Sequence, residues 1–234
     1  VSSTTSSIKL AIIGPGKMGR AVAELAGARG IQVVATLGPK DRVDRESLAD
    51  ADVAIEFTEP DVAAANVRAC VAANCPVVVG TTGWYEHLPE IERLVADKNG
   101  AVFWAANFSL GVHAVAQLMR RAGEIFARLH DFDVAMVETH HAAKKDAPSG
   151  TASMLREQFA AGSGRTVPIT SVRVGSVPGT HQLILDAPFE QLVISHEARD
   201  RRVFADGALA AAMWLVGRHG VFTLDDMLSE GDVR

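Results

Sequence analysis

Cysteine and positive charge are both scarce in this 234-residue chain, and each scarcity closes off a class of function. Lysine and arginine number 23 against 28 aspartates and glutamates, a formal net charge of −5. No extended basic face is therefore expected for the phosphates of nucleic acid or for an anionic membrane. No apolar run reaches the roughly 18 residues of a membrane span, and no charged segment followed by an apolar stretch marks a secretory leader. The expected compartment is the cytoplasm. The two cysteines, Cys70 and Cys75, fall in what reads as one helix, a spacing suited neither to a structural disulfide nor to a four-ligand zinc site. Buried, reduced thiols are expected. The opening Val1-Ser2-Ser3-Thr4-Thr5-Ser6-Ser7 is polar and aperiodic and reads as an extension outside the fold. What is abundant is hydrophobic residues, 48% against 22% charged, enough for a substantial core.

From Ile8 onward short apolar runs alternate with helical patterns, the signature of parallel strands joined by right-handed crossovers. Strands are expected at Ile8–Ile13, Ile31–Leu37, Val53–Thr58, Val77–Thr81 and Ala101–Ala106. Helices are expected at Met18–Arg29, Val62–Ala73 and Leu88–Asp97, with Gly30 as a C-terminal cap and Pro60 as a helix opener. After Asn107 the pattern changes to one long helix, Val112–Leu129, and strands at Phe132–Thr139, Ile169–Gly175, Gln182–Ala187 and Gln191–Glu197. The last three have no helix between them, which implies an antiparallel or mixed sheet. The fold class is thus α/β: a Rossmann-like doubly wound parallel sheet plus a second α+β domain. Residues 1–107 with 205–234 form the first domain and 108–204 the second, the final helix Ala205–Arg218 packing back on the first.

The first strand runs into Gly14-Pro15-Gly16-Lys17-Met18-Gly19 and then a helix, the strand-and-helix context that a dinucleotide-binding G-x-G-x-x-G requires. Gly14 permits the turn, Gly16 lets backbone approach a pyrophosphate, and Gly19 allows helix to pack on strand. A carboxylate at the end of the second strand would favour NAD by binding the ribose hydroxyls. None appears before Asp41, while Lys40 and Arg42 are placed to meet a 2′-phosphate, so NADPH, or use of both NADPH and NADH, is expected. Further cofactor contacts are expected where strands end, at Phe57-Thr58, at Gly80-Thr81-Thr82-Gly83 and at Ala105-Ala106-Asn107-Phe108. The last segment also marks the passage between domains, where a hinge would let them close on the cofactor.

The densest chemistry lies in Glu138-Thr139-His140-His141-Ala142-Ala143-Lys144-Lys145-Asp146-Ala147-Pro148-Ser149-Gly150-Thr151, between a strand and a helix. Adjacent histidines on a strand face opposite ways, and a turn just after them brings His140 and Lys144 toward one pocket. The Asp146–Thr151 portion reads as a helix start, with Ser149 or Thr151 able to cap it, and such a terminus binds a carboxylate. The ligand implied is small and multiply anionic, held by that terminus on one side and by His141 and Lys144 on the other. Glu138, His140 and His141 lack metal-ligand spacing, so no metal is expected. A dehydrogenase acting on another small amine or imine, and a dinucleotide sensor without catalysis, stay open as alternatives.

The run E-T-H-H-A-A-K-K-D-A-P-S-G-T-A, with G-T-T-G and A-A-N-F-S in the same order, resembles the 4-hydroxy-tetrahydrodipicolinate reductase (dihydrodipicolinate reductase) family, from Ile8 to about Leu228. The resemblance implies reduction of a small cyclic dicarboxylate by NAD(P)H in lysine and diaminopimelate biosynthesis. It assigns His140 and Lys144 as proton donors, and it places His141, Ser149, Gly150 and Thr151 at the substrate. Gly14, Pro15, Gly16, Lys17, Met18, Gly19, Gly80, Thr81, Thr82, Ala105, Ala106, Asn107 and Phe108 fall to the cofactor, beside Lys40 from the reading of the second strand end. It also implies a homotetramer built through the second-domain sheets, for which Gln182-Leu183-Ile184-Leu185 offers an apolar face.

Overall fold

The computed structural model describes residues 7–230, so the polar stretch expected to stand outside the fold lies, up to Ser6, outside the described residues. The chain divides into two compact units, one of residues up to Phe108 together with those from Phe204 onward, the other of Ser109–Val203. Among the described residues no helix is long and apolar enough to cross a membrane.

The first unit is a six-stranded sheet, every pairing parallel, in the order β10-β5-β4-β3-β1-β2. Its elements are β1 (Ile8–Ile13), α1 (Lys17–Ala26), β2 (Ile31–Leu37), β3 (Val53–Glu56), α2 (Pro60–Ala72), β4 (Val77–Val79), α3 (Leu88–Lys98) and β5 (Ala101–Trp104), then α6 (Arg202–Leu215), β10 (Gly220–Phe222) and α7 (Leu224–Ser229). The doubly wound reading holds. Every residue of β3 and β4 is buried, as strands covered on both faces must be. The chain steps outward from β1 to β2, then returns past β1 to β3, so the strand order reverses at β1/β3 and a crevice opens beyond their carboxyl ends.

Three strands stop short of expectation. Thr58, Thr81 and Ala106 fall beyond β3, β4 and β5 because the backbone there turns to other partners: Thr58 N–H donates to the Thr81 hydroxyl at 2.7 Å. The cysteines do not share a helix, since α2 ends at Ala72 and Cys75 follows a left-handed Asn74. Both are buried and unpaired, and burial pushes the Cys75 thiol up to about 12. The sequence pattern also missed β10, whose three residues are too few to display a period, and α7, which opens on a Thr223–Asp226 capping box.

The second unit comprises α4 (Leu110–Phe126), β6 (Asp133–His140), α5 (Gly150–Ser163), β7 (Ile169–Arg173), β8 (Thr180–Ala187) and β9 (Glu190–Glu197). Its sheet order is β7-β6-β8-β9, with β6/β7 parallel through the α5 crossover and the other pairs antiparallel. Helices α4 and α5 cover one face, closing a core around Met119, Met136, Leu155, Phe159, Leu183 and Leu185. Leu183 and Leu185 are fully buried there, so half of the apolar face expected for a partner is spent on the unit's own core. Alternation sends Ile184 to the opposite face, with its ladder neighbours Ala135 and Val193.

The two helices meet backbone to backbone at Gly123 and Gly162. A Cβ on Gly123 would collide with the Phe159 carbonyl, and one on Gly162 with that of Arg120. Gly123→Ala is therefore expected to destabilise the second unit by about 1–3 kcal/mol, despite alanine's better helix propensity. An unchanged urea midpoint would show that the helices have slack.

Candidate active site

At the β1/β3 switch point the Gly14–Gly19 turn is packed from below and open above. A Cβ on Gly14 would strike the Phe57 carbonyl, and one on Gly19 the Gly14 carbonyl, so neither position accepts a side chain. Gly16 is different: nothing lies within 4 Å of its absent Cβ, and it heads α1 with no side-chain cap. The first turn of α1 thus has no side-chain cap and has room at Gly16, which fits a dinucleotide pyrophosphate. Pro15, Lys17 and Met18 lie in the same turn.

The turn after β4 is tied to it. The ring of Phe57 fills the space a Cβ on Gly80 would need, the buried Thr81 accepts from Thr58 N–H, and the Thr81 carbonyl accepts from Trp84 Nε1 at 2.9 Å, while Thr82 is exposed. Beyond β5, Phe108 packs its ring against Phe57 and Phe103 and Ala105 is buried, leaving Ala106 as the exposed residue of that segment. Lys40 is exposed after β2, and the Asp41 carboxylate accepts from Gly38 N–H at 2.7 Å within its own loop.

In the second unit the chemistry centres on Glu138. It lies in β6 two residues before His140, hence on the same face, and is fully buried. One carboxylate oxygen accepts from Arg173 Nη2 at 2.7 Å, and the other takes a short hydrogen bond from His140 Nδ1. Arg173 also donates to the Asp146 carbonyl at 2.6 Å, pinning the loop that leads to α5. Burial would raise the Glu138 carboxyl, but hydrogen bonds from Arg173, Ser171 and His140 outweigh it and hold the group at about 2. The carboxylate therefore keeps the His140 hydrogen on Nδ1 and leaves Nε2 bare. Burial lowers the His140 pKa despite the pull of Glu138, and the charges of Lys144 and Arg173 lower it further. His140 is neutral at pH 7 in the unliganded protein.

The loop residues separate by partner. His141 leaves the strand and its Nε2 lies 3.0 Å from Arg201 Nη2, whereas Lys144 Nζ pairs with Asp146 at 2.8 Å. Ser149 caps α5, its hydroxyl accepting from Ala152 N–H at 3.2 Å, and Gly150 and Thr151 form the first turn. The structure thus gathers His140, Lys144 and the head of α5 around one loop. Glu138 and His140, two apart on one strand, could have been paired by alternation alone. Arg173, Arg201, His181 and His196 reach the site through ladder register and loop closure, which no local pattern displays. Glu138, His140 and His181 bring three candidate metal-ligand atoms within 4.8 Å of one another. The Arg173 guanidinium on the same carboxylate opposes a dication there, and His141 turns away to Arg201.

Burial also lowers His196, and burial with the nearby His140 and His196 lowers His181 to about 4. The unfolded chain then binds protons that the folded one refuses, so stability is full above pH 6.5 and falls as pH drops toward 4. His181 alone accounts for roughly 3 kcal/mol of that fall. Glu138 adds little to this fall above its unfolded value of 4.5, and below it loses its own contribution as well. Urea unfolding at pH 7 and pH 4.5 is expected to show a smaller loss in His181→Gln than in the parent protein. Parallel losses would remove His181 as the source.

Residues 8–108 match the family model described as dihydrodipicolinate reductase, N-terminus, and residues 111–228 match its C-terminus. The chain is 33% identical to 4-hydroxy-tetrahydrodipicolinate reductase of Christiangramia forsetii, over 95% of this chain and 98% of that protein. The enzyme of the same name from Zymomonas mobilis is 36% identical, with the same coverage of each. Among solved structures, dipicolinate-bound dihydrodipicolinate reductase from Paenisporosarcina sp. TG-14 shares the fold, with a TM-score of 0.80 at 23% identity over 94% of this chain and 99% of that one. Matched in both halves by the family models and nearly end to end by two relatives, the chain belongs to the dihydrodipicolinate reductase family.

Proposed function

We propose that this protein reduces 4-hydroxy-tetrahydrodipicolinate to tetrahydrodipicolinate with NAD(P)H, a cytoplasmic step of lysine and diaminopimelate biosynthesis. Membership of the family supports the reaction. The observation that carries the chemistry is the buried Arg173–Glu138–His140 chain, which fixes one imidazole tautomer beside the capped terminus of α5. A dinucleotide sensor has no need of such a chain.

The first unit is the dinucleotide-binding domain: the Gly14–Gly19 cradle takes the pyrophosphate, and Gly80, Thr81, Thr82 and Ala105–Phe108 lie at strand ends suited to the rest of the cofactor. Lys40 and the exposed Arg42 favour a 2′-phosphate, since Asp41 is already engaged by Gly38. When bound, the nicotinamide supplies a hydride to the substrate ring. The second unit, the substrate-binding and oligomerisation domain, does the rest. The N–H groups of Gly150 and Thr151 bind one carboxylate, and His141, held by Arg201, binds the dianion with Lys144. Two negative charges near His140 offset those of Lys144 and Arg173, so His140 gains its proton only when substrate is present. The 4-hydroxyl leaves as water, the resulting unsaturated ring takes the hydride, and His140 and Lys144 protonate the carbon beside the one receiving it.

Assembly is a homotetramer through the uncovered face of the β7-β6-β8-β9 sheet. Val172 and Val193 are 38% and 44% exposed there, and Val137 and Ile184 are half-buried. Light scattering is expected to give four chains per particle, and a stable monomer would contradict it.

With substrate generated in place from pyruvate and aspartate semialdehyde by a synthase, the protein is expected to oxidise NADPH, with NADH assayed alongside. Lys144→Ala and His140→Ala should each lower kcat by about 10²–10⁴, whereas Thr151→Ala should act chiefly on KM. Folded, nucleotide-binding protein that oxidises neither cofactor would move the weight to a different small imine as substrate.

A further inference from the structure

His181 has no part in the reaction as proposed, yet it is only 4% exposed, on β8 directly across from Glu138 in the ladder. Burying an imidazole carries a desolvation cost, so its contacts bear on why it is there. Its Nε2 lies 3.3 Å from the Ser149 hydroxyl, the group that caps α5. Its ring meets that of His140 edge to face, with centroids 5.2 Å apart and planes at 72°. Among the described residues the Nδ1 of His181 has no partner. Of the two neutral tautomers, the one with hydrogen on Nε2 donates to Ser149 and leaves no N–H unpaired.

We propose that His181 is a positioning residue for two parts of the site at once, holding the Ser149 hydroxyl at the head of α5 and stopping the His140 ring in the orientation Glu138 sets. The inference rests on the functional reading above. Glu138 restrains His140 at a single atom, Nδ1, and one hydrogen bond leaves a ring free to swing about it; the packed ring of His181 removes that freedom. The backbone at Gly179 runs close to both rings, since a Cβ there would stand 3.0 Å from His140 Nε2 and 3.7 Å from His181 Cε1. His181 suits the task because it stays uncharged. A cation there would be buried and face His140, His196 and Lys144, which together outweigh the pull of Glu138 and keep its pKa at about 4. The same residue thus fixes where the substrate carboxylate is held and where the proton is delivered, and a histidine supplies both the donor and the packed ring.

The test compares the full-length protein with His181→Leu and His181→Gln, titrating pyridine-2,6-dicarboxylate and NADPH separately and measuring turnover. The Leu variant is expected to lose about tenfold in affinity for the dianion and at least about tenfold in kcat, with NADPH affinity within about twofold of the parent. Glutamine places an amide near the position of Nε2, so it should restore dianion affinity but not kcat. Unchanged dianion affinity and kcat in the Leu variant would overturn the proposal, as would equal losses of dianion and NADPH binding, the mark of a merely structural residue. Recovery of both properties by glutamine would overturn the ring contact. Should the parent protein fail to turn over the cyclic dicarboxylate, the functional reading fails, while the dianion titration still decides the anchoring of Ser149.

Discussion

A fully buried carboxylate stays ionised in the second unit, and most of the site depends on it. Glu138 sits in the middle of a sheet facing the core, where an unpaired negative charge would be untenable. Three groups from two strands make it tenable: Arg173 and Ser171 from β7 and His140 from β6 itself. The ion pair is less a source of stability than a constraint on geometry, since buried pairs repay little beyond their desolvation. It sets the imidazole tautomer, and through the second bond of Arg173 to the Asp146 carbonyl it ties down the loop carrying Lys144. Removing Arg173 would leave an uncompensated charge and release both the ring and the loop.

The first unit is constrained by shape rather than charge. Its turns at the ends of β1, β3 and β4 touch one another through Phe57, whose carbonyl closes on Gly14 and whose ring occupies the space beside Gly80. A side chain at either glycine would separate these turns. The glycines therefore do more than permit tight backbone: they allow three strand ends to converge, while Gly16 in the same turn stays unobstructed.

The parallel sheet was legible because each of its longer strands announces itself as a continuous apolar run, and β1 and β2 were read to the residue. Strand ends were less so. Whether Thr58 or Thr81 continues a ladder depends on a side chain 23 residues away, and β10 gains its place only by pairing with β5. In the site, the loop from His140 to Thr151 was visible because its chemistry is contiguous. The supporting shell was not, for Arg173, His181 and His196 stand on other strands, and only the register of β6, β7, β8 and β9 brings them to the same face. Leu183 shows the same limit in reverse. Apolarity marked it as available to a partner, but alternation along β8 turns it inward and leaves Ile184 to face the other way.

In a chain of net charge −5, a concentration of Lys144, Arg173, Arg201 and two histidines about one loop is costly unless something balances it. Glu138 and Asp146 balance part of it, one with Arg173 and one with Lys144. What they leave is a local positive field, which adds to burial in lowering the pKa of His140. A ligand bearing two carboxylates cancels it and so raises the proton affinity of the ring nearest to it. A ligand with one carboxylate cancels only part and recruits the proton less well. On the proposed reading, selectivity for a dianion and readiness to donate a proton share one contributor, the positive charge that acts on His140 beside burial.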